Sequence, residues 1–243
     1  MSNWHELPRA AFDLETTGRD PQTARIVTAS IVMVNGRQEI VHHREWLVNP
    51  GVPIPEEAAA IHGVSTERAA AEGMDAATAV AEITGHLRDL FQTVPVMAFN
   101  ASYDFTVLAR ECERYGIAPL EPAPVIDPYV LDKRVDRYRR GKRTLAAMCE
   151  FYGIPLRNAH TSLADAAATI GVADALAAKY PQELQVDPLQ LHGSQVRWRA
   201  AQAASLQEWF RRKDPEAVVD GAWPVRADAV DHQPALALED PVG

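Results

Sequence analysis

Two cysteines in 243 residues, Cys112 and Cys149, are too few for a disulfide framework. Neither stands in a spacing that a structural zinc site or a redox pair would use, so both read as buried free thiols of a reducing cytoplasm. No apolar run approaches the roughly 20 residues of a bilayer-spanning helix, and no membrane partner is expected. The first residues, MSNWHELPRAAF, lack a basic stretch followed by an apolar one, so no secretory signal is read and a cytoplasmic location is expected. There is no internal repeat. An excess of positive charge is missing too: the net charge is −9, which taken alone argues against a polyanionic partner.

The distribution of charge reverses that last exclusion. Residues 214–243 hold seven acids and one base, Arg226, for a net of −6, leaving only −3 on residues 1–213. By contrast DKRVDRYRRGKR, residues 132–143, has seven bases against two acids, a net of +5. This segment reads either as a solvated loop or as a place to hold a polyanion.

The composition, 47% hydrophobic and 23% charged, is that of a chain able to build a sizeable core. RAAFDLETT reads as a short buried strand. RIVTASIVMVNG and QEIVHHREWLV read as β-rich runs joined by Asn35-Gly36, a two-residue hairpin signal. The Pro-rich PGVPIPEEAAAIHGVS reads as loop. AAEGMDAATAVAEITGHLRDLF reads as helix with Ala79, Ile83, Leu87 and Leu90 on one stripe. VPVMAFN and PAPVIDP read as two further short strands, with helices at SYDFTVLARECERYG, TLAAMCEFYG and SLADAAATIGVADALAAKY. Three antiparallel strands followed by alternating helix and strand give an α/β domain over residues 1–181, built on one mixed five-stranded sheet flanked by helices. Residues 182–213 read as a C-terminal helical extension, with Val196, Ala200, Ala203, Leu206, Trp209 and Phe210 along one side of a lone helix. Residues 214–243 read as an acidic, extended or partly disordered tail.

Asp13 and Glu15 alternate onto one face of an apolar strand, where burial of either acid is costly. Asp104 and Asp165 fall just inside two helices, and His160 precedes Asp165 by five residues. Each has an ordinary explanation alone: first-turn acids suit the helix macrodipole, and a loop histidine is commonplace. Together they converge, because helix N-termini that follow strand C-termini meet on one rim of an α/β sheet. Four carboxylates there repel unless a cation joins them. Hard oxygen donors without cysteine suit Mg²⁺ or Mn²⁺, and a bridging carboxylate suits two ions about 3.5–4 Å apart, the arrangement for phosphodiester cleavage. Histidine titrates near neutrality, so His160 fits a general base for the attacking water.

These residues resemble the motifs of the DEDDh 3′→5′ exonucleases, the superfamily that includes the proofreading epsilon subunit of bacterial DNA polymerase III. FDLETTG resembles the first motif, FNASYDFTVL the second and HTSLADA the third, while AIHGVS resembles the segment that contacts the terminal nucleotide and VIDPYVLDKR the strand carrying Asp127. The resemblance spans roughly residues 9–180. It implies a ribonuclease H-like fold, two divalent ions and release of nucleoside monophosphates from 3′ ends. Asp13, Glu15, Asp104 and Asp165 would be metal ligands and His160 the general base. Thr16, Thr17, Ile61, His62, Phe99 and Asn100 would lie around the substrate. Three residues depart from the family pattern: Phe99 stands for a histidine, Tyr103 for a phenylalanine and Ser162 for an alanine.

The expected function is therefore metal-dependent trimming of DNA 3′ ends, by a proofreading subunit of a DNA polymerase or by a free-standing repair nuclease. The related oligoribonuclease and tRNA-trimming branches give an RNA-directed alternative, though these are compact and lack an extra helix and acidic tail. A quiet module binding nucleic acid or a polymerase is a third reading. All five catalytic positions are occupied by the required residue types, which speaks against it. An aspartyl-nucleophile phosphatase fits worse, since its D-x-D motif would need an aspartate at Glu15.

Overall fold

A computed structural model describes residues 3–156 and 160–227. After a 3₁₀ turn at Trp4–Glu6 come three long antiparallel strands, β1 (Arg9–Thr16), β2 (Ile26–Val34) and β3 (Ile40–Asn49). Alternation along β1 sends Ala10, Phe12 and Leu14 into one core and Ala11 into the other, so Asp13 and Glu15 fall on the side of Ala11.

The β2–β3 connection differs from the expected two-residue turn. It spans residues 35–39, held by Asn35 Oδ1 accepting from the N–H groups of Arg37 (2.9 Å) and Glu39 (3.1 Å). The left-handed residue is Gln38, at φ 62°, and not Gly36. Gly36 serves a close approach, because a Cβ there would lie 2.3 Å from the Glu6 carbonyl oxygen.

The segment read as loop contains α1 (Glu56–His62), and the long helix read after it is divided into α2 (Thr66–Glu72), β4 (Met74–Asp75) and α3 (Ala76–Phe91). Gly73 makes the break. A Cβ there would sit 2.4 Å from Ala69 O and 2.6 Å from Asn49 N, so only glycine lets the chain close onto β3. Asp75 then caps α3, accepting from Thr78 N at 3.0 Å. The stripe of Ala79, Ile83 and Leu87 is buried as expected.

The remaining elements are β5 (Val96–Met97), α4 (Ser102–Tyr115), β6 (Val125–Ile126), α5 (Pro128–Val135), α6 (Leu145–Tyr152), α7 (Ser162–Lys179), α8 (Pro181–Leu184) and α9 (Pro188–Phe210). The mixed sheet runs β4-β3-β2-β1-β5-β6, with β5 and β6 parallel to β1. It has six strands instead of five because β4, only two residues long, adds to the β3 edge. Phe12, Ile31, Ile83 and Phe105 pack α3 and α4 on one face; Ala11, Val32, Met148 and Leu176 pack α6 and α7 on the other. Cys112 and Cys149 are buried free thiols, one in each core. No helix of the described residues is long and apolar enough to cross a membrane.

Helix α7 is fixed against β1 by a buried ion pair, Arg9 with Asp174. From that anchor α7 runs back to its N-terminus at the C-terminal end of β1, where Asp165 lies.

Helix α9 begins at Pro188, with Asp187 capping it, and the face it docks through matches the expected stripe only at its C-terminal end, where Ala203, Leu206 and Phe210 pack around Val219. Leu191, Gln195, Arg199 and Ala203 are buried, whereas Val196, Ala200 and Trp209 of the expected stripe are exposed. The cause is what α9 covers. Strand β6 is a sheet edge with open backbone groups, and Gln195 satisfies them, Oε1 accepting from Asp127 N (2.7 Å) and Nε2 donating to Val125 O (2.9 Å). The start of the expected acidic tail has neither helix nor strand, yet it packs on the domain and buries Trp223 in the α3–α4 core. Residues 228–243 of that tail lie outside the described residues.

Candidate active site

The carboxylates meet at the C-terminal end of β1. Asp13 and Glu15 project toward α7. Asp104 enters from the first turn of α4, where its Oδ1 accepts from the Leu14 N–H of β1 at 3.0 Å. Asp165 enters from the first turn of α7, whose N-terminus Thr161 caps. Its Oδ2 accepts from the His160 N–H at 3.2 Å, and its Oδ1 is buried with no hydrogen-bond partner among the described residues. Glu15, His160 and Asp165 each place one ligand atom within 4.8 Å of the others.

The electrostatics follow from that crowding. Burial, and then the charges of Asp104, Asp165 and Glu15, hold the Asp13 carboxyl well above the usual carboxylate range. Burial and Asp165 push Glu15 up to about 8. Asp104 and Asp165 are also raised, burial first in each case, against the pull of the N–H groups that bind them. Four acids that all resist ionisation are a poor arrangement for a fold without a cation and a suitable one for holding one. The buried Asp165 Oδ1 lacking a donor is what a metal would satisfy, and all-oxygen carboxylate donors fit Mg²⁺ or Mn²⁺.

Backbone conformation marks the same place. His160 has φ 67° and Asn100 φ 57°, left-handed values that a histidine seldom adopts. A cavity of about 240 Å³ opens at His160, lined also by Glu15, Trp46, His62, Arg68 and Ser162 among others. Of the six expected substrate contacts, only His62 lines it. Burial lowers the His62 pKa, and its Nδ1 accepts from Val64 N at 3.2 Å. Ile61 is half-exposed at the end of α1. The hydroxyls of Thr16 and Thr17 hold the β1–β2 loop, Thr16 donating to Gly18 O (2.9 Å) and Thr17 accepting from Arg25 N (3.0 Å). Phe99 packs edge-on against Tyr129 at 5.9 Å, in the core below the rim.

Asp127, to which sequence reasoning gave no role, is the positioning hub. Its carboxylate accepts from the N–H groups of Asn100 (3.0 Å), Ala101 (3.0 Å) and Tyr129 (3.0 Å), and from Trp223 Nε1 (3.3 Å). It thereby caps α5 and pins the turn into α4, the helix that carries Asp104. The local signal was present: an Asp followed by Pro128 at the first helical position. The contacts from Asn100 and Trp223 are long-range and had none.

Residues 10–173 match the family model for exonuclease domains of the RNase T type. The chain belongs to the RNase T exonuclease family. It is 32% identical over 168 residues to a DNA polymerase III subunit epsilon-like protein of Rhodobacter capsulatus, covering 68% of this chain but 23% of that one. It is 30% identical over 191 residues to an uncharacterized exonuclease of Escherichia phage 186, covering 72% of this chain and 90% of that one. Among solved structures it resembles E. coli exonuclease I in complex with a dT13 oligonucleotide, with a TM-score of 0.61 at 18% identity, covering 72% of this chain and 42% of that one. The chain thus spans about a quarter of the first relative's length and less than half of exonuclease I. The fold is that of the ribonuclease H-like exonucleases.

The three departures from the exonuclease motifs each find a structural partner. Tyr103 uses its extra hydroxyl to bind Thr16 Oγ1 and the Gly18 carbonyl, tying α4 to the β1–β2 loop. Ser162 places its hydroxyl 2.6 Å from that of Ser30 and 3.3 Å from that of Thr28, fastening the start of α7 to β2. Phe99 supplies the ring that Tyr129 packs on.

Proposed function

We propose that the protein is a 3′→5′ exonuclease that hydrolyses the terminal phosphodiester of DNA with divalent metal ions, Mg²⁺ or Mn²⁺, held by Asp13, Glu15, Asp104 and Asp165. The observation that carries this is the convergence of those four carboxyls, all raised, with Asp165 Oδ1 lacking a donor. Bound there, a pair of such ions supplies Lewis acidity at the scissile phosphate. The chain's own residues do the rest. His160, on its loop at the mouth of the cavity, takes the proton from the attacking water. A bond forms from the water oxygen to phosphorus, and the P–O3′ bond breaks. The released nucleotide keeps its 5′-phosphate, and the shortened strand ends in a 3′-hydroxyl. His62, Trp46 and Arg68 line the cavity where the terminal nucleotide would sit. The DNA assignment is supported by the epsilon-like name of one relative and by the DNA oligonucleotide bound to exonuclease I.

The test is digestion of 5′-labelled single-stranded DNA, of paired and mismatched primer ends, and of RNA oligomers, each with Mg²⁺, Mn²⁺ or EDTA. A ladder shortening from the 3′ end on DNA, abolished by EDTA and by Asp13→Ala, is expected. Faster trimming of RNA than of DNA would overturn the substrate assignment, and near-full activity in Asp13→Ala would overturn the mechanism.

A further inference from the structure

The basic segment at 132–143 is not a uniformly solvated loop. Its first residues belong to α5, and with α9 they enclose a groove of about 450 Å³. Lys133, Arg134, Arg137 and Arg143 line one wall; Trp198 and Trp209 stand on the other. No carboxylate is among the lining residues. Asp132, on the same helix, is buried and already bound by Arg139 (3.0 Å) and Arg143 (2.7 Å). Arg134 and Arg137 form no ion pair among the described residues. Their guanidinium groups lie by aromatic rings, Arg134 5.5 Å from Trp198 and Arg137 5.6 Å from Tyr138. Trp209 is 48% exposed and Tyr138 86% exposed.

We propose that this groove binds single-stranded DNA, its arginines holding phosphates and Trp209 stacking on a base. Unpaired cations beside open aromatic rings are what such a strand recognises: one feature meets the backbone charge, the other a base of any sequence. An acidic peptide would use the arginines but leave Trp209 without a partner plane. The position suits a strand passing from the catalytic rim. Helix α5 begins at Asp127, which holds the N-terminus of α4, and its eight residues carry the basic groups about 12 Å from that point. The groove would hold the strand on the 5′ side of the end being trimmed, so its biological role rests on the exonuclease reading.

Fluorescence anisotropy of the full chain with a labelled 20-residue oligo-dT in EDTA tests this without cleavage. Replacing Arg134 and Arg137 by Gln should make the slope of log affinity against log salt shallower by about 1.4, two single-strand phosphate contacts. Trp209→Ala should weaken binding about tenfold, the worth of one stacked base. Arg37→Gln, on the distant exposed β2–β3 turn, removes charge without touching the groove and should leave the slope unchanged. Circular dichroism confirms the fold of each variant. An unchanged slope in the double variant, an equal effect of Arg37→Gln, or tighter binding of a polyglutamate peptide than of oligo-dT would refute the groove. Groove-dependent binding by a chain that digests nothing with Mg²⁺ or Mn²⁺ would instead refute the nuclease reading alone.

Discussion

Glu15→Gln should stabilise the metal-free protein while destroying its activity. Glu15 has a pKa pushed up to about 8 by burial and by Asp165, against 4.5 for the free side chain. A raised pKa means that the folded state holds the proton more tightly than the unfolded chain. Stability is then fully present below pH 4.5 and is lost as pH rises toward 8. At about 1.4 kcal/mol per pH unit the full penalty would reach about 4–5 kcal/mol. Glu15 is only partly buried, and solvent screening reduces this to about 1–2 kcal/mol. Glutamine has the shape of the protonated acid and no charge to desolvate. In EDTA at pH 8 the variant should therefore melt roughly 2–8 °C higher than the unaltered chain. At pH 4.5 the two should melt together.

Metal binding would relieve the same crowding. An ion at a hundred times its dissociation constant stabilises the native state by about 2.7 kcal/mol. Mg²⁺ should raise the melting temperature of the unaltered chain at pH 8 and do much less for the variant, which has lost a ligand. Differential scanning fluorimetry across pH, with and without Mg²⁺, reads all of this. An equal or lower melting temperature for Glu15→Gln in EDTA at pH 8 would show that the carboxylate crowding costs the fold nothing, and the argument for a cation would fall.

His160→Ala should lower kcat by about 10²–10⁴ while Mg²⁺ still stabilises the variant as it does the unaltered chain. Loss of that stabilisation would make His160 a ligand, as its closeness to Glu15 and Asp165 permits. Arg9→Ala leaves Asp174 buried without its partner and should cost about 3–5 kcal/mol in urea unfolding. Replacing both Arg9 and Asp174 by apolar residues of similar size should recover most of that loss, and failure to do so would mean that the pair holds α7 in place through its geometry.

How much of this was legible in the sequence depended on the range of the interaction. The strands β1 to β3 and the Ala79–Ile83–Leu87 stripe are local patterns, and each reappears in the structure. Where a distant backbone intervened, local pattern misled. Asn35-Gly36 has the composition of a tight hairpin turn, but Gly36 is small to admit the Glu6 carbonyl, and the chain takes its left-handed turn at Gln38. Gly73 was read inside one long helix and is the contact point of β3 with α2. The stripe on α9 was judged by hydrophobicity alone, which serves for Ala203, Leu206 and Phe210 and fails where the buried surface is the open edge of β6 and the residue needed there is Gln195.

The four carboxylates of the candidate site belong to neither group. No single one was decisive, because an acid in the first turn of a helix is unremarkable chemically and a strand with two acids can lie at an edge. What made them legible is that each would be costly once buried, and the topology leaves them one shared place to be. Asp127 shows the complement. It too is buried, with its pKa pushed up only to about 6, because N–H donors from Asn100, Ala101, Tyr129 and Trp223 oppose the desolvation. Among the described residues, Asp165 Oδ1 has no such donor. Two aspartates on neighbouring elements are thus separable by what satisfies them, one by N–H donors of the protein itself and the other, at its buried Oδ1, by no donor among the described residues.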